Sequence, residues 1–104
     1  MTADATSAFL RAMRDRIGSG AAVSIEEIVS RSWASATFSG ARHELLLALE
    51  GDGAAAAADA FAHNLEAAEF TLRGHILADI ALASREQRGA RVRLRVEALT
   101  VEES

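Results

Sequence analysis

Three histidines and a row of arginines are the side chains through which this sequence would do chemistry. His43 sits in A-R-H-E-L-L-L-A-L, where alternation groups it with the apolar Leu45, Leu47 and Leu49. A histidine in that position serves as a general base or ligand at a pocket mouth, or as a neutral core residue bonded to a backbone group; the core role is the expected one. His75 follows Gly74 and would join His43 if their strand ends meet. With Thr37 and Arg42 they form a candidate ligand set of Thr37, Arg42, His43 and His75 beside an apolar wall, in which Arg42 suits a carboxylate or phosphate. His63 stands four residues after Asp59 and three before Glu66, so one helix would align three metal-ligating types. A solvated, charge-paired helix face is the expected outcome there, and no metal is assigned.

Arg91, Arg93 and Arg95 alternate with Val92, Leu94 and Val96. Period two sets the arginines ~6.8 Å apart along one sheet face. That spacing would track the phosphates of single-stranded nucleic acid, with Trp33 to stack a base. Scarce aromatics and a net charge of −4 point instead to a solvated face paired with Glu44 and Glu97, so nucleic acid is not an expected partner. No nucleophile elbow, P-loop, dinucleotide fingerprint or His/Glu metalloprotease helix occurs. No catalytic residue and no cofactor are therefore assigned.

The elements that must position these residues belong to one domain, 1–104. Half of the chain is hydrophobic, but much of that is alanine, which implies a thin core. There is no Cys, hence no disulfide or thiolate chemistry, which fits a cytoplasmic protein. Every basic side chain is Arg and Pro is absent, a bias that reads as the imprint of a GC-rich bacterial genome. No signal peptide is recognised, no apolar run reaches the ~20 residues of a membrane span, and the acidic balance argues against a membrane surface.

Phe9, Met13 and Ile17 at spacing four predict a helix over 4–17, capped by Thr6 or Asp4 and stopped by Gly18-Ser19-Gly20. Residues 21–32 fit a short helix with a capping box at Ser24 and Glu27, or a strand. The strand is preferred because no strong break precedes Phe38; it would be bent or bulged near Glu26-Glu27. Residues 33–51 read as a hairpin turning at Ser39-Gly40, with Phe38 facing Ala41, Ala36 facing His43 and Ala34 facing Leu45. The opposite face carries Trp33, Ser35, Thr37, Arg42, Glu44, Leu46 and Ala48. A second helix is expected over 53–69 behind Asp52. Residues 75–84 suit strand or helix; strand is preferred, with Ile76, Ala78, Ile80 and Leu82 on one face, because the strand 90–101 needs a partner across a loop at 85–89.

The resulting order, α-β-β-α-β-β, predicts a two-layer α+β domain with two helices on an antiparallel sheet of about four strands. That order resembles a circular permutation of the ferredoxin-like one, a fold that hosts unrelated functions. The leading functional reading is a non-enzymatic protein-interaction module, a homodimer, because the second sheet face lacks cover if both helices pack on one side. Trp33, Ser35, Leu46 and Arg93 would line it, with Leu77, Leu99 and Val101. The alternatives are a small anionic ligand bound near the 33–45 hairpin by a binding protein or enzyme, and weak nucleic-acid binding through Arg91, Arg93 and Arg95.

Overall fold

The computed structural model describes residues 4–103. The chain runs α1 (Ala5–Ile17), β1 (Ala22–Ala34), β2 (Ser39–Glu50), α2 (Ala54–Ala62), a 3₁₀ turn (Leu65–Ala67), β3 (His75–Arg88) and β4 (Arg91–Glu102). The strands form one antiparallel sheet in the order β1-β2-β4-β3. Both helices lie on the same side of it, giving a two-layer α+β domain. Phe9, Met13 and Ile17 of α1 and Ala54, Ala58 and Phe61 of α2 share one core with Leu45, Leu47 and Leu49 of β2 and Val92, Leu94 and Val96 of β4. No helix among the described residues is long and apolar enough to cross a membrane.

Asp4 caps α1, its carboxylate accepting from the Ser7 N–H at 2.7 Å. Gly18, at φ +71°, closes the other end, where Arg14 and Arg16 complement the helix dipole. The helix α2 is shorter than the expected 53–69. It has no side-chain cap at Gly53, and the left-handed Asn64 (φ +51°) turns the chain so that Leu65 enters the core. Arg16 of α1 takes over its C-terminal carbonyls, donating to Phe61 O at 2.8 Å and His63 O at 2.7 Å. Its guanidinium also lies 5.7 Å from the ring centres of Phe61 and Phe70. The expected Asp59–His63–Glu66 face is thereby broken up, and Asp59 pairs with Arg85 of β3 at 2.6 Å instead.

Bulges decide which residues of the edge strands face the helices. In β1 the inward set changes parity from Val23 and Ile25 to Ile28. The register shift between Ile25 and Glu27 absorbs the extra residue, as the sequence suggested. In β3 the shift at Leu77/Asp79 lets Leu77, Ile80 and Leu82 all face inward, and a second at Leu82/Ser84 brings Arg85 opposite Leu94 on that same side. The simple alternation expected for 76–82 therefore fails. Ile76 stands on the outer face and is 53% exposed, while Leu77, expected on that face, packs against the core.

The first hairpin corrects the sequence reading. Ala34 opposes Ser39 rather than Leu45, and Ser35–Phe38 form the turn, closed by a 2.7 Å bond from Ser35 N–H to Phe38 O. Gly40 lies inside β2 and its φ is not positive. A Cβ there would run into the Thr100 carbonyl and the Trp33 ring, so the glycine is needed for close approach, not for a turn. The displacement is even, so the faces survive it: Leu45, Leu47 and Leu49 point to the helices, Trp33 and Leu46 away. The second turn is also tighter than the expected 85–89. Only Gly89 (φ +57°) and Ala90 separate the paired Arg88 and Arg91.

Gly40→Ala is therefore expected to cost roughly 2 kcal/mol or more in chemical denaturation, from overpacking against backbone. Thr37→Ala, in the exposed turn, should stay within about 0.5 kcal/mol. Equal small effects would contradict the register.

Candidate functional site

His43 is 1% exposed, on the helix-facing side of β2 directly opposite Ser30. An imidazole is buried at acceptable cost only when both ring nitrogens are paired. Nδ1 lies 2.7 Å from Ser30 Oγ and Nε2 lies 3.0 Å from Thr100 Oγ1. Thr100 donates its own hydroxyl hydrogen to Ala41 O at 3.4 Å, so it accepts from Nε2–H. That assigns the Nε2–H tautomer and leaves Nδ1 to accept from Ser30. Thr6 at the start of α1 donates in turn to Ser30 Oγ at 2.8 Å. The Phe9 ring stacks on the imidazole with centroids 4.9 Å apart and an interplanar angle of 16°. Burial pushes the His43 pKa down from its ordinary 6.5, and the charge on His75 adds to the effect.

Above this network the two layers part into a groove of about 550 Å³, bordered by Asp4, Thr6, Ser30, Ser32, His75 and Glu102. His75 is itself buried, with Nδ1 bonded to Arg73 O at 3.0 Å and no partner for Nε2 among the described residues. The Asp4 carboxyl is held below its ordinary value by the Ser7 N–H. The lining holds the carboxylates of Asp4, Glu102 and Glu103 and no arginine.

His43 and His75 thus lie at this end of the sheet, as the sequence suggested they would if their strand ends met. The other two members of the expected ligand set lie elsewhere. Arg42 neighbours His43 in an extended strand and so points to the opposite face, where it opposes Arg31. Thr37 is exposed in the turn. Ser30, Thr6 and Thr100 were missed by sequence reasoning. A signal existed for Thr100: it is the one polar residue in the stripe Val92, Leu94, Val96, Ala98. No cluster of three or more metal-ligating side chains occurs among the described residues.

The outer face of the sheet carries the second constellation. Trp33, Gly40, Val101 and Ile76 align across the four strands as an apolar row. The next row is Arg31, Arg42, Leu99 and Asp79, and the next Val29, Glu44, Glu97 and Ala81. Leu46 and Arg93 share this face, whereas Ser35 lies in the turn and bonds within it. Arg93 pairs with Glu26 at 2.8 and 3.3 Å, and Arg91 with Glu26 and Glu50. The expected partners, Glu44 and Glu97, stand opposite one another instead. The Arg93 hydrogen bond is the main cause that lowers the Glu26 pKa. Trp33 Nε1 is buried without a hydrogen-bond partner among the described residues.

Because folding lowers the His43 pKa, the unfolded chain takes up its proton first as pH falls. The His43 contribution to stability is present in full well above 6.5 and is lost as pH falls below it, towards the lowered pKa of the folded state. Asp4 and Glu26 act lower, around and below their ordinary 3.8 and 4.5. The expected result is a denaturation midpoint that drops between pH 7 and 5 in the wild type and much less in His43→Gln; equal slopes would contradict the assignment. Comparison with protein-family models, curated proteins and solved structures finds no match to this chain.

Proposed function

We propose that the chain is a cytoplasmic self-association module whose interface is the outer face of the sheet, with a second copy as its occupant. The observation that carries this reading is the placement of both helices on one side. The row Trp33–Gly40–Val101–Ile76 has no covering layer among the described residues. Phe38, 58% exposed in the adjoining turn, extends the same apolar end, and the indole Nε1 lacks a partner.

The charge pattern favours a second copy over an unrelated partner. Arg31 opposes Arg42 and Glu44 opposes Glu97, and none of the four forms an ion pair among the described residues. Like charges directly opposite are destabilising within one sheet. A two-fold axis across the strands sets the arginine pair of each copy against the glutamate pair of the other, the self-complementarity of an isologous contact. The strand order supports a ferredoxin-like reading as well. Moving the first strand of β-α-β-β-α-β to the end gives α-β-β-α-β-β, with the last strand between the second and third. The acidic lining of the groove argues against an anionic ligand there, and the pairing of Arg91 and Arg93 argues against a phosphate track.

Sedimentation should show a dimer that Trp33→Ala weakens about 30-fold, the ~2 kcal/mol of an aromatic hot spot. Arg31→Glu/Arg42→Glu and Glu44→Arg/Glu97→Arg should each be monomeric alone and dimeric when mixed. A wild-type monomer at ~100 μM, where even weak standard interfaces associate, would contradict the proposal.

A further inference from the structure

We propose that Ser30 is an activated nucleophile, with His43 as its base, that takes an acyl group from small uncharged or cationic esters entering the groove. This goes beyond self-association and lies on the other side of the sheet. Nucleophilic serine needs a base within hydrogen-bond reach, and a third group that orients the base. Ser30 Oγ and His43 Nδ1 are 2.7 Å apart, and Thr100, anchored on Ala41 O, holds the ring in the tautomer whose Nδ1 accepts. Ser30 is exposed and borders the groove, whereas the base beneath it is buried and stacked on Phe9.

Ser30 Oγ attacks the ester carbonyl as its proton passes to His43 Nδ1. The resulting imidazolium donates at both nitrogens, with Thr100 Oγ1 accepting at Nε2. The carbon–oxygen bond to the leaving alcohol breaks, and that oxygen takes the proton back from Nδ1. The products are an acyl-Ser30 ester and the free alcohol; water attacking the ester with His43 again as base returns the serine. The carboxylates of Asp4, Glu102 and Glu103 repel anionic esters and set the substrate class.

Ser32 supplies an internal control. It lies two residues on, on the same strand face and in the same groove, but opposite Ala41 rather than an imidazole. The full chain is treated with p-nitrophenyl acetate, and separately with an uncharged fluorophosphonate, and adducts are mapped by mass spectrometry. One adduct on Ser30 is expected, with nitrophenolate released. Ser30→Ala should slow release at least ~100-fold, the low end of base-assisted catalysis, with its circular dichroism unchanged. Thr37→Ala, in the exposed turn outside the groove, should leave the rate unchanged, and a p-nitrophenyl ester carrying a carboxylate should react more slowly than the acetate. No adduct, equal labelling of Ser30 and Ser32, or a faster anionic ester would overturn the proposal. Labelling is read on one chain and does not depend on dimer formation, so its failure leaves the self-association reading standing.

Discussion

One imidazole in an apolar layer constrains this domain more than any other group. Burying His43 with a free nitrogen would cost on the order of 1–3 kcal/mol, so the fold must bring a hydroxyl to each side of it. Ser30 comes from β1 and Thr100 from β4, which ties three strands to one register at one level of the sheet. Thr6 extends the chain of hydroxyls to α1, and Phe9 lays its ring on the imidazole, so the same group also sets the seat of the first helix. The apolar leucines of β2 would accept several registers; the polar network accepts one.

A second constraint follows from the helices. Both pack on one side, so every edge-strand apolar residue either turns inward through a bulge or remains on the outer face. The bulge in β1 brings Ile28 to the core, and the first of the two in β3 brings Ile80 and Leu82. Trp33 and Ile76 are left on the other side with the arginines and glutamates. A bulge also frees Glu26 to meet Arg91 and Arg93, which is why the arginine row is paired from β1 rather than by its cross-strand neighbours. These ion pairs lie at the surface and order side chains more than they stabilise the fold.

Much of this was legible in the residues. Alternation in β4, the leucine stripe of β2 and the spacing of Phe9, Met13 and Ile17 all report burial directly, and they gave the element order and the two sheet faces. The hairpin turn was misplaced because glycine carries two meanings. In the sequence Gly40 suggests backbone freedom, whereas the fold requires it for the absence of a Cβ beside Thr100. The end of α2 was hidden because alanine propensity is local, while Arg16 ends the helix from another element. The candidate site was half legible for the same reason. His43 was visible by its place among leucines, but Ser30 became its partner only once the turn moved to Ser35–Phe38, and Thr6 only once α1 crossed the sheet.

Fold and site both depend on a neutral His43 donating through Nε2 to Thr100 and accepting at Nδ1 from Ser30. Long-range ¹H–¹⁵N correlation spectra of the imidazoles read this directly, since protonated and bare ring nitrogens resonate far apart. The predicted result is a single Nε2–H tautomer at pH 7 that persists as pH falls past the ordinary 6.5. An Nδ1–H tautomer, or a ring that titrates at 6.5 like a solvated histidine, would contradict it.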